Sequence, residues 1–216
     1  MPSTSNPTGG EEPRSPRRTK VQVWEDLLRA ATEVFGRVGY TAASLDEIAE
    51  RAGVPQGSIY FHVRQKIDLL EGILEGFHEE RLTRVRQASV GGPALARLQR
   101  MLETYFEFTT GRFPQSSIYW QAGPGVTPQE RERLFPERMA FVHLFAGVLR
   151  DGQGEGVVVD MDATLMAQSI ILATHSMCDA LQREPEAERP RVARQFVALL
   201  VRGHAIDPAA LGLRLD

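Results

Sequence analysis

The sequence predicts an all-α fold: a small three-helix unit at the N-terminus, then a larger helical body, with about nine helices in all. Three observations carry this. Apolar residues recur at helical spacing along most of the chain. Glycine and proline clusters punctuate those runs. No stretch reads as a strand of useful length, since 157–159 is too short. The 216 residues suffice to bury a core in one large domain or two small ones. At 42% apolar and 25% charged, the composition is that of an ordinary soluble globular protein.

In chain order, residues 1–18 are rich in Pro, Ser, Thr, Gly and Glu with almost nothing apolar, and are expected to be disordered. Trp24, Leu27, Leu28, Ala31, Val34, Phe35 and Val38 then follow helical spacing, and Gly39 closes this first helix in a left-handed conformation. Ser44-Leu45-Asp46-Glu47 reads as a capping box in which Glu47 reaches back toward Ser44. The helix it opens breaks at Gly53, and a short third helix covers about 55–62. A long fourth helix is expected over 66–89, ended by Gly91-Gly92-Pro93. A fifth spans about 94–110 and a sixth about 115–122, closed by Gly123-Pro124-Gly125. Thr127-Pro128-Gln129-Glu130 is a second capping box with proline at the tolerated first position. Its helix runs to about Arg150, kinked at Pro136, which has no amide to donate. The glycine-rich 151–156 is expected to be a loop, and two last helices cover about 161–183 and 188–203.

No apolar run approaches the roughly 18 residues that cross a membrane, so no membrane partner is expected. The N-terminal stretch lacks the apolar centre of a secretory signal. A single cysteine, Cys178, leaves no intramolecular disulfide and fits a reducing compartment, so a cytoplasmic location is expected. The net charge of −3 is unevenly spread. Residues 14–66 hold nine Arg or Lys against six Asp or Glu, whereas 67–216 hold sixteen against twenty. For attraction to phosphates the local charge matters more than the total. Arg14, Arg17, Arg18 and Lys20 form a basic arm that either reaches a DNA groove or backbone or only solubilises the chain.

Two short helices joined at Gly53, with a helix before them, form a helix-turn-helix. Ala49, Gly53, Ile59 and Val63 are small or apolar where those helices must touch, but Gln56, Ser58, Tyr60, Phe61 and His62 do not all fit inward on so short a helix. Gln56 offers adenine a paired donor and acceptor in the major groove. Gly57 lets backbone come close. Ser58, Tyr60 and His62 are donors suited to phosphate oxygens, and Phe61 suits a thymine methyl or a sugar. Lys66, at the start of the fourth helix, combines a cation with free helix amides. The alternative makes Tyr60, Phe61 and His62 core residues of a small bundle.

The run Ser44-Leu45-Asp46-Glu47-Ile48-Ala49-Glu50-Arg51-Ala52-Gly53-Val54, then Gly57-Ser58-Ile59-Tyr60-Phe61-His62-Val63-Arg64-Gln65-Lys66, closely resembles the DNA-binding signature of the tetracycline-repressor (TetR) family. Phe35, Gly39 and Tyr40 fall at that family's helix-one Phe and Gly-aromatic pair. The resemblance is specific over about residues 20–70 and architectural beyond. It implies a DNA-binding unit over 19–65 and a ligand-binding and dimerisation unit over 66–216. It also implies a homodimer on palindromic double-stranded DNA, a repressor released by a small molecule, with no cofactor. Ser44, Tyr60, His62 and Lys66 become phosphate anchors, and Gln56 and its neighbours base readers. The chain departs from the pattern at Pro55 and Gln65, where the family usually has capping Ser, Thr or Asn. The third helix is therefore expected to start at a shifted position and the fourth less sharply.

In the body, Tyr105, Phe106, Phe108, Tyr119, Trp120, Phe141, His143, Phe145 and His175 supply the aromatic walls and few polar atoms that a small-molecule cavity requires. Tyr105, Phe108, Trp120, Met139, His143, Met166 and His175 are the candidate ligand contacts. Few charges fall in the presumed interior, so a mostly apolar effector is expected. The helix over 161–183 is apolar nearly all round and needs neighbours on more than one side. By the resemblance, it and the last helix pair with their symmetry mates. Met166, Ile170, Ala173, Met177, Val192, Phe196, Leu199 and Leu200 are the candidate dimer contacts. The five histidines make no metal or triad spacing, and Gly36-Arg37-Val38-Gly39 follows a helix rather than a strand, so neither an enzyme nor a metal site is expected. A ligand-binding protein without DNA activity is the remaining rival.

Overall fold

The computed structural model describes residues 18–122, 125–134 and 138–207. Among them the expected all-α fold is present, and the one extended pairing is a bridge between Val158 and Ala205. Helix α1 is Lys20–Ala42, α2 Leu45–Arg51, α3 Gln56–Ile59 and α4 Lys66–Leu74. The body follows as α5 Phe77–Ala88, α6 Ala94–Gly111, α7 Phe113–Ala122, α8 Pro128–Leu134, α9 Arg138–Gly154, α10 Ala163–Leu181 and α11 Arg189–His204. Residues 1–17, expected to be disordered, lie outside the described residues, as do Gly123, Pro124 and Pro136.

Among the described residues more than nine helical segments are distinguished, and one expected helix is divided. The long fourth helix breaks at Gly76, whose φ of 73° is left-handed and suits glycine. Of the helix opened by Thr127, the described residues form α8 and α9, and the kink expected at Pro136 falls outside them. Its capping box is complete: Glu130 N–H donates to Thr127 Oγ1 at 3.2 Å, and Thr127 N–H donates to the Glu130 carboxylate at 2.7 Å. The expected loop over 151–156 is instead the last turn of α9 plus a short turn. There Gly152 serves close packing, since a Cβ on it would run into Val158 and Ala94.

Two large apolar clusters organise the molecule. The first joins α1–α4 to Phe77, Phe108, Ile118, Tyr119, Ala122 and Leu134. The second fills the body between α5, α6, α9, α10 and α11. Helix α7 therefore serves both units: Ile118 and Ala122 belong to the first cluster, while Trp120 packs against both.

Candidate DNA interface and effector cavity

The helix-turn-helix is fastened from behind. Ile48, Ala49, Ile59 and Val63 are buried against Leu27, Val34 and Phe35 of α1. Ser44 caps α2 by accepting from the Glu47 N–H at 3.2 Å. The second half of the expected capping box is absent, because the Glu47 carboxylate pairs with Arg37 of α1. Arg18, expected in a free arm, donates to the Ala52 carbonyl at 3.0 Å and to the Gly53 carbonyl, and pairs with Asp26 at 2.9 Å. It thereby locks the turn where Gly53 sits at φ 61°.

The recognition segment sits on this base. Helix α3 starts at Gln56 with Pro55 as a cap residue that makes no side-chain bond. It is shorter than the expected 55–62. Gln56 and Gly57 are exposed, Ser58 and His62 partly so. Tyr60 is 59% exposed and Phe61 87%, whereas Ile59 and Val63 are fully buried. The bundle-core reading of Tyr60 and Phe61 is excluded. Nothing lies within 4 Å of where a Cβ on Gly57 would be, so folding does not require that glycine.

Lys66 is placed differently from its neighbours. Its Nζ donates to the Thr41 carbonyl at 3.0 Å and the Ala43 carbonyl at 2.9 Å, and lies 4.7 Å from the Tyr40 ring centroid. Partial burial pushes its pKa down. The ammonium thus closes the end of α1 and the loop to α2. The start of α4 is sharper than Gln65 suggested, because the Asp68 carboxylate accepts from the Arg64 N–H at 2.9 Å and the Gln65 N–H at 3.0 Å.

Behind α7 lies a cavity of about 190 Å³ walled by α5, α7, α9 and α10. Arg81, Tyr119, Trp120 and Phe141 form much of its lining, with Met139 and Leu172 among the remaining residues. Trp120 stacks on His175 with ring centroids 4.5 Å apart. Burial, and then the nearby Arg81 charge, pushes the His78 pKa down to about 4; burial brings His175 to about 4 as well. Both imidazoles are neutral at pH 7.

The N-terminal stretch and the body each match a family model. Residues 27–73 match the model described as bacterial regulatory proteins, tetR family, and residues 91–204 the tetracyclin repressor-like C-terminal domain. This chain belongs to the TetR family. TetR proteins are DNA-binding transcriptional regulators. This chain is 26% identical to the HTH-type transcriptional repressor KstR2 of Mycobacterium tuberculosis over 82% of its length and 90% of that protein. It is 37% identical to the HTH-type transcriptional activator FasR of Mycolicibacterium smegmatis, over 50% of this chain and 47% of FasR. The solved structure of AibR in complex with isovaleryl coenzyme A and operator DNA superposes with a TM-score of 0.74 at 16% identity, covering 83% of this chain and 98% of AibR. No helix among the described residues is long and apolar enough to cross a membrane.

With the TetR architecture in view, the candidate contacts of the body redistribute. Of the ligand candidates, Trp120 and Met139 line the cavity. Tyr105 is buried in the body core against Phe141, ring centroids 5.0 Å apart, and Met166 is also core. Phe108 belongs to the first cluster, 5.2 Å from Phe77. His143 points to solvent on α9. His175 reaches the cavity only through Trp120. The dimer candidates also divide by face. Met166, Ile170 and Phe196 are buried within the chain, so they are not on the free surface; Ala173, Met177, Val192 and Leu200 are partly buried. The apolar side chains that α10 and α11 turn outward are Leu165 at 55%, Leu172 at 54% and Leu199 at 62% exposure. A helix apolar all round gives no face from sequence, so the expected contacts mix the buried side of these helices with the outward Leu199. Cys178 is core, its thiol pushed up to about 12 by burial. Missed in sequence was Arg81, although it shares one helical stripe with Phe77 and Val85 (i, i+4, i+8), where an arginine among apolar residues marks an inward charge.

Proposed function

We propose that this TetR member is an effector-responsive repressor that binds a palindromic operator as a homodimer in the cytoplasm. The reading rests on one observation above others: Tyr60 and Phe61 project into solvent from a segment anchored by buried Ile59 and Val63. A phenyl ring left in water forgoes roughly 1.5–3 kcal/mol of burial, which a partner surface recovers. Gln56, Gly57 and Ser58 share that surface. In this reading Gln56 reads a base, Gly57 admits the DNA backbone, Ser44, Ser58, Tyr60 and His62 hold phosphates, and Lys66 positions the unit from behind. The outward Leu165 of α10 and Leu199 of α11 meet a second copy of the chain. Effector in the cavity presses on Tyr119 and Trp120 of α7, whose opposite face packs under α1. It favours one pose of the DNA unit only by binding that pose more tightly.

The test is Gln56→Ala. Binding-site preference should relax at one base pair, by roughly 1–3 kcal/mol, with stability unchanged. An unaltered preferred sequence would remove Gln56 from the reading surface. A reporter driven by the bound promoter separates repression from activation. Deletion of the chain should raise expression, and a fall would make it an activator, as FasR is named.

A further inference from the structure

The cavity behind α7 contains a buried cation for which the described residues provide no counter-ion. Arg81 is 4% exposed. Its guanidinium carbon lies 4.5 Å from the Phe141 ring centroid, 5.0 Å from Tyr119 and 5.6 Å from Phe77. Aromatic faces return only part of the hydration an ion loses on burial. Among the described residues no carboxylate pairs with Arg81, and its Nε has no hydrogen-bond partner. Buried charges are normally paired, because leaving one alone is costly. Arg81 lines the 190 Å³ space together with Tyr119, Trp120 and Leu172.

We propose that Arg81 is the anion-recognition residue of this cavity, and that the effector is a small monocarboxylic acid with an aryl or short acyl body. A guanidinium fork accepts a carboxylate through two parallel hydrogen bonds. Arg81 is the one basic side chain of the lining among the described residues, so the site balances one negative charge, and a phosphate monoester near −2 is over-charged for it. A cavity of about 150 Å³ holds benzene, so 190 Å³ admits one ring or a short chain with its carboxylate. Trp120 and Leu172 offer that body an apolar wall, and Met139 and Leu172, both exposed, mark the mouth. The mostly apolar effector expected from sequence thereby acquires one carboxylate. The inference rests on the effector-responsive reading given above.

The test titrates benzoate, phenylacetate and hexanoate into the full chain by calorimetry at pH 7.5, each beside its amide, with phenyl phosphate as the dianion. At least one acid should bind, at least tenfold tighter than its amide and than phenyl phosphate. Arg81→Gln should weaken that acid at least tenfold while leaving the amide unchanged. If Arg81→Gln does not fold, Arg81→Lys keeps the charge, loses the fork and should weaken the acid several-fold. Equal binding of acid and amide, tighter binding of phenyl phosphate, no acid binding up to 10 mM, or an acid affinity indifferent to Arg81 each overturns the proposal. A gel shift with a bound DNA fragment separates it from the broader reading. Acid that binds through Arg81 without releasing DNA supports the anion site and defeats effector control. Release by neutral compounds with no acid binding does the reverse.

Discussion

Lys66 sits at the boundary between the DNA-reading surface and the scaffold behind it, and its bonds decide which side it serves. Two of its three N–H donors close carbonyls at the end of α1 and in the loop to α2. Lys66→Met keeps the stem and removes those bonds, so a loss of about 1 kcal/mol is expected, given the partly solvated ammonium. Thermal denaturation should show it as a fall in Tm. The dependence of DNA affinity on salt should change by less than the one unit that a lost phosphate contact produces. A full unit, with Tm unchanged, would return Lys66 to the phosphate anchors. His78 and His175 give a second expectation at this scale. Burial holds both near 4, against about 6.5 when unfolded. Below pH 6.5 the unfolded chain takes up protons that the folded one refuses. Stability is therefore full above about 6.5 and falls as pH drops toward 4. The groups around them enter the same balance: Arg81 and the Leu134 carbonyl face His78, and Asp179 faces His175. Tm should drop between pH 7.5 and 5, less so in His78→Gln. A flat profile would contradict the burial assigned to these rings.

Gly72 and Gly76 look alike in sequence, two glycines four apart on one expected helix, and that spacing alone allows either a hinge or close packing. The structure gives them separate roles. A Cβ on Gly72 would come within 2.7 Å of Leu28 Cδ2 and 2.8 Å of Trp24 Cζ2, so this glycine lets α4 lie against α1. Gly76 has open space around it and a left-handed φ of 73°, so it makes the bend between α4 and α5. Gly72→Ala should cost roughly 1–3 kcal/mol by overpacking, with effector control normal in the protein that folds. Gly76→Ala strains the bend by about 1–2 kcal/mol and should shift how strongly effector changes DNA affinity. Chemical denaturation and paired DNA titrations, with and without effector, distinguish the two. If Gly76→Ala alters stability alone, the bend is structural and transmits nothing. The periodicity of apolar residues made most helices legible, and Thr127 announced its cap. Helix breaks set by one glycine, and the glycine-rich end of α9, were hidden because glycine serves turns and close contacts alike.

For the whole molecule, the N-terminal unit was readable because its motif is local: Gly53, Ile59, Val63 and the residues between them fix one geometry. The body was less so. Arg81 and the walls of its cavity come from four helices distant in sequence, and which face of α10 turns outward depends on neighbours that no local pattern reveals. The proposed homodimer engages both units, since one short α3 per chain calls for a second half-site and outward Leu165 and Leu199 are the proposed contact that supplies it. The most direct measurement is selection of bound sequences from random duplex DNA, run on the wild type and on the pair Leu165→Glu with Leu199→Glu. The wild type should return inverted repeats whose half-sites lie about 34–36 Å apart, or somewhat more where the free dimer is splayed. The variant, monomeric in sedimentation, should lose that symmetry and most of its affinity. Recovery of single asymmetric half-sites by the wild type, or unchanged repeats from the variant, would contradict the account.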